Sequence, residues 1–194
     1  CESPDAAVPA WRPASLADWS DTPDCVSDMP CAAKSSRSRG IACSSQDAVQ
    51  FPQLESLARR IHRHFTANPR FEGLPKKFKI GIEADTASGR HLIQDTGLVL
   101  AGSDSDGSSY DIWIAGGLGR EPQAGFLFEQ KVREERIIPI IEAVVRVYAC
   151  LVPPPKRLKF LASQLGEDEL KRLIRAEPAY SEMFPTRGGF GDNL

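Results

Sequence analysis

In Lys76-Lys-Phe-Lys-Ile-Gly-Ile82 the apolar Phe78, Ile80 and Ile82 fall at every second position. A strict period of two marks a strand with one face on a core, so Phe78, Ile80 and Ile82 are expected to point inward. In such a strand Lys77 and Lys79 share the opposite face, with their side chains rooted about 6–7 Å apart. Two ammonium groups so placed can converge on one small anion. The same pattern also serves as a solvated basic edge that discourages strand pairing, and spacing alone leaves both readings open.

Working outward from this strand, Leu54, Leu57, Ala58, Ile61 and Phe65 recur at helical spacing, with Glu55, Arg59, Arg60 and Arg63 between them. This predicts an amphipathic helix from Pro52 to Ala67. On the other side, Leu98-Val-Leu-Ala101 and Tyr110-Asp-Ile-Trp-Ile-Ala115 flank turn-forming residues and predict a hairpin. From Arg133 to Cys150, Ile137, Ile138, Ile141, Val144, Val145 and Tyr148 predict a strongly apolar helix with Pro139 in its first turn. Two short helices follow, Lys156 to Gln164, closed by Gly166, and Glu167 to Arg175. The element order predicts an α+β domain built on a small mixed β-sheet with packed helices, covering 47–177. Residues 1–46, rich in Ser, Asp, Pro and Ala, read as an irregular or poorly ordered segment, and 178–194 as a tail.

Hydrophobic content of 41% and charged content of 26% fit a soluble globular protein. The longest apolar run is broken by Pro139, Glu142 and Arg146, so no membrane span is expected. A net charge of −2 gives no global field for nucleic acid, so an anion site must come from a local cluster of cations. The five cysteines are irregularly spaced, which argues against a disulfide framework and fits a cytoplasmic protein.

Five blocks in order carry a resemblance: Leu74-Pro-Lys-Lys-Phe-Lys-Ile80, His91-Leu-Ile-Gln-Asp-Thr-Gly-Leu98, Ala115-Gly-Gly-Leu-Gly119, Glu142-Ala-Val-Val-Arg-Val-Tyr148 and Arg157-Leu-Lys-Phe-Leu161. Together they resemble the haemoprotein domain of the sirohaem-dependent sulfite and nitrite reductases. The resemblance implies a part in six-electron reduction of sulfite to sulfide or nitrite to ammonia, with a sirohaem and a four-iron, four-sulfur cluster as cofactors. It implies that Lys77 and Lys79 belong to the oxyanion site. Arg39 is the nearest match to a further cationic position, although Gly40 stands where the family has Asn. Gly116, Gly117 and Gly119 would form a loop near the sirohaem, with Arg120 beside it.

Family clusters take four cysteines as Cys-x5-Cys and Cys-x3-Cys, and Ala84 and Ser88 occupy the positions matching the second pair. Cys25 and Cys31 have the first spacing but lie upstream of the Arg39 block, and one pair does not hold a cluster. The resemblance is therefore to the cysteine-free half of a two-half enzyme. The other half and an electron donor, ferredoxin or a flavoprotein, would be its partners, and the isolated chain is not expected to be active. Alternatives are a non-catalytic scaffold half, a degenerate or precorrin-processing relative, and a small oxyanion- or nucleic-acid-binding module using Arg39, Lys77, Lys79 and nearby Arg59, Arg60 and Arg63. Low net charge and the lack of aromatic stacking residues on the lysine strand count against nucleic acid. His91 reads as a hydrogen-bonding surface or interface residue rather than an axial ligand, and Asp85 and Asp95 show no acid/base pattern.

Overall fold

The computed structural model describes residues 40–44, 51–66, 68–71, 74, 76–105, 107–153 and 156–182. Five strands form one sheet in sequence order: β1 Gly40–Ser44, β2 Lys79–Glu83, β3 Thr96–Asp104, β4 Gly107–Ile114 and β5 Phe126–Arg133. β1, β2 and β3 run parallel, whereas β3, β4 and β5 are antiparallel, so the sheet is mixed. Helix α1, Phe51–Phe65, makes the connection between β1 and β2, as parallel neighbours require. A 3-10 turn at Arg90–Ile93 lies between β2 and β3. After the sheet come α2 Glu134–Leu151, α3 Leu158–Leu165, α4 Glu167–Ala176 and the short α5 Pro178–Ser181.

The periodicities predict what is buried. Leu54, Leu57, Ile61 and Phe65 of α1 and Ile137, Ile141, Val144 and Tyr148 of α2 join Phe78, Ile80, Ile82, Leu98, Ile112 and Ile114 in one core. Burying a side chain of this size stabilises a fold by about 1.5–3 kcal/mol, and α2, apolar on most of its circumference, contributes the most. The α+β fold with a mixed sheet is as expected from the sequence.

Four local features differ. β1 lies inside the segment read as irregular, because five residues, Gly40-Ile-Ala-Cys-Ser44, are too few to reveal a period. β5 has no forecast at all: Glu129, Gln130 and Lys131 interrupt its apolar residues, and register shifts against β4 between Tyr110 and Trp113 break the alternation. Lys131 there has a φ of 51°. Pro139 lies in the second turn of α2 rather than the first, removing the N–H that would reach the Glu135 carbonyl. α5 falls within the expected tail, and its Tyr180 is buried against Phe128 of β5, ring centroids 6.0 Å apart.

Candidate functional site

β2 begins at Lys79, not Lys76, and its partner there is Gly40 of β1. The stretch before it keeps the alternation predicted for a strand: Lys77 is exposed, Phe78 buried, Lys79 half-buried and Ile80 buried. It is held by side chains instead of a ladder. The Tyr148 hydroxyl lies 3.1 Å from the Lys76 carbonyl and 3.0 Å from that of Lys156, so it can donate to either. The Tyr148 ring also packs on Phe78, centroids 5.7 Å apart. Three residues on, the Lys79 N–H donates to Asp95 Oδ2 at 2.8 Å. Lys77 therefore sits between two anchors.

Asp95 is 1% exposed. Arg157, the residue before α3, donates to it through Nε at 3.2 Å and Nη2 at 2.5 Å. Burial pushes the Asp95 carboxyl above its ordinary range, against the pull of Arg157 and of the Lys79 amide. The Asp95 carbonyl in turn accepts the Ala115 N–H at 2.9 Å, where Ala115 takes a φ of 63°. One residue thus ties the lysine segment, the start of β3, the end of β4 and the start of α3.

The glycine loop follows directly. A Cβ on Gly116 would stand 2.2 Å from the Leu92 carbonyl oxygen, so only glycine fits. Gly117 exchanges both backbone hydrogen bonds with Gln123, at 2.9 and 3.0 Å, and its amide is not available to a ligand carboxylate. Lys159 of α3 donates to the carbonyl of Glu121 and reaches that of Gly117 at 3.5 Å. Gly119 and Arg120 are exposed, as is Leu118, 58% accessible at the tip of the loop. Lys77, Lys79, Gly116 and Gly117 are thus linked through Asp95 and Arg157. Arg39 lies outside the described residues, though its sequence neighbour Gly40 pairs with Lys79.

Beyond β2 the chain turns through Ala84 and Ser88, the positions expected from the resemblance to match family cysteines. Glu83 is buried and accepts Ser88 Oγ at 2.6 Å on one oxygen. The other oxygen meets the His91 N–H at 3.1 Å and Nδ1 at 2.9 Å. His91 is 3% exposed, with its ring 5.1 Å from that of Trp113. It is a core residue, not the surface residue expected from its polar neighbours, because Glu83 supplies its partner.

A four-iron cluster requires four soft ligands. Among the described residues no group of three or more His, Cys, Asp or Glu side chains is placed to hold a metal. Ala84 offers a methyl group, and the Ser88 hydroxyl is engaged by Glu83. The cysteine whose side chain is described, Cys150, is exposed near the end of α2. The described residues do not fit an iron–sulfur cluster. None of the described helices is long and apolar enough to cross a membrane.

The lysine segment and the adjoining glycine loop lie at one end of an α+β domain with a mixed sheet under helices, and the sequence comparisons name its family. The model of the family described as "Nitrite and sulphite reductase 4Fe-4S domain" matches residues 44–182, and the chain belongs to that family. It is 24% identical over 130 residues to sulfite reductase [ferredoxin] 1 of Mycolicibacterium paratuberculosis, covering 65% of this chain and 22% of that protein. To sulfite reductase [ferredoxin] 2 of the same organism it is 25% identical over 123 residues, 60% of this chain and 22% of that one. The solved structure of the Mycobacterium tuberculosis NirA protein superposes with a TM-score of 0.57 at 25% identity, over 70% of this chain and 26% of that chain. The chain spans about a quarter or less of the length of these relatives.

Asp95, Arg157, Glu83 and Tyr148 are missed by sequence reasoning as members of the site. Asp95 and Arg157 do stand in the quoted blocks, but 62 residues separate them and neither has a local pattern.

Proposed function

We propose that this chain is a cluster-free part of a sulfite or nitrite reductase and contributes cationic residues to the oxyanion site. What supports this best is the Lys77–Lys79 segment, fastened on one side by Tyr148 and on the other by Asp95. Backbone fixed at both ends limits the reorganisation two ammonium groups undergo when charge develops nearby. Lys77 and Lys79 would bind the oxyanion, hold it in orientation and carry protons as oxygen leaves as water. Sirohaem and the cluster, when bound in the assembled enzyme, supply the electrons. The cluster cysteines would come from segments other than the described residues.

The test is coexpression of the chain with the remaining segments of such a reductase and assay with sulfite and with nitrite. Lys77→Ala and Lys79→Ala are each expected to lower kcat/KM by about tenfold or more, the effect of losing one charge-assisted hydrogen bond. Unchanged activity in both variants would favour a second reading, a scaffold half that only supports the active one. The Ser88 hydroxyl, hydrogen-bonded to Glu83 at a position where the resemblance implies a cluster cysteine, is the observation on that side.

A further inference from the structure

We propose that Arg157 is a positioning residue: held on Asp95, it fixes the N-terminal end of β2 so that Lys77 and Lys79 present their charges from a set backbone. The inference rests on the reading of the lysines as an anion site. Three observations carry it. The Lys79 amide is bound to the same carboxylate oxygen, Asp95 Oδ2, that Arg157 Nη2 meets. Arg157 precedes α3 without a side-chain cap to that helix, its guanidinium being committed to Asp95. Its neighbour Lys156 carries the carbonyl that shares the Tyr148 hydroxyl with Lys76. The chain before α3 and the chain before β2 are therefore cross-linked twice, once on each side of the lysines.

Arg157 is unlike an anion ligand. Its side chain is 11% exposed, and two of its three nitrogens donate to a carboxylate of opposite charge. Lys159 is similarly engaged with loop carbonyls. Lys77 is exposed and Lys79 half-buried, and the Asp95–Arg157 pair sets where their backbone stands.

The experiment uses the full chain in solution, with amide hydrogen exchange followed residue by residue and sodium sulfite as the titrant. In Arg157→Gln the Lys79 and Ala115 amides are expected to exchange about tenfold faster or more, relative to Ile112 and Ile141 in the core. Sulfite binding weakens in parallel, and Arg157→Lys recovers part of both losses. Wild-type exchange at Lys79 in Arg157→Gln overturns the proposal, as does a speeding that includes Ile112 equally, which marks a role in stability alone. If the chain binds no sulfite, or binds it equally after Lys77→Ala with Lys79→Ala, the anion reading fails, while exchange at Lys79 separately reports whether Arg157 holds the segment.

Discussion

Glu142 on α2 has Arg146 Nη2 at 2.8 Å, His64 Nε2 at 3.3 Å and Arg70 at 3.9 Å. Burial, the largest single influence, raises its carboxyl, but Arg146 and then His64 together outweigh it and hold the group below its ordinary range. A carboxylate lowered in the folded state stabilises the fold at pH above its unfolded value, about 4.3. That contribution disappears as pH falls through the lowered folded value. Glu142→Gln should therefore lower Tm at neutral pH and flatten its fall on the acid side, read from melting curves across that range. Gly116 is a sharper case. Its absent Cβ would meet main-chain atoms of Leu92 and Gln94, which cannot swing aside as a side chain could. Gly116→Ala should cost about 1–3 kcal/mol in chemical denaturation, or more if the loop detaches from the turn before β3.

At the scale of elements, α5 is held to the sheet by few groups. The Tyr180 hydroxyl donates to Glu129 Oε1 of β5 at 2.9 Å, and Arg175 of α4 donates to the same oxygen at 2.7 Å. Burial first, and then Glu129, push the Tyr180 phenol up to about 12. A phenol raised in the folded state adds stability that is complete below its unfolded value, about 10. It is lost as pH rises through the folded value. Tyr180→Phe should remove the alkaline part of the stability loss while lowering stability at neutral pH by about 0.5–1.5 kcal/mol. Denaturant midpoints at neutral and alkaline pH would measure both effects. The elements also differ in how far the sequence discloses them. α1, α2, the β3–β4 hairpin and the two helices after it were legible, because each buries one face along a regular period. β1 was too short and β5 too bulged for a period to survive, and both became strands through pairing, β1 with β2 and β5 with β4.

For the molecule as a whole, the lysine pair was legible and its support was not. The spacing of Phe78, Ile80 and Ile82 announces which side chains turn inward, and from Lys77 to Ile80 the structure keeps that alternation even where the ladder has not begun. Nothing local to Asp95 announces Arg157, and nothing near Tyr148 announces Lys76. Those contacts are made by folding residues that the chain holds far apart, so only the assembled sheet and helices disclose them. His91 was misjudged for the same reason, since its burial depends on a carboxylate eight residues upstream.

The direction of the strands has one more consequence. Because β1, β2 and β3 are parallel, Gly40, Lys79 and Thr96 lie at one rim of the sheet, and antiparallel β4 delivers Ala115 and its glycine loop to the same rim. The β3–β4 turn between Asp104 and Gly107 lies at the opposite rim, about 25 Å away along the strand. The described part of the molecule is polar in the geometric sense, with the candidate site gathered at one pole. A fluorophore or an inserted peptide placed in the turn at the other pole would ride on the same rigid strands and report on assembly without touching the lysines.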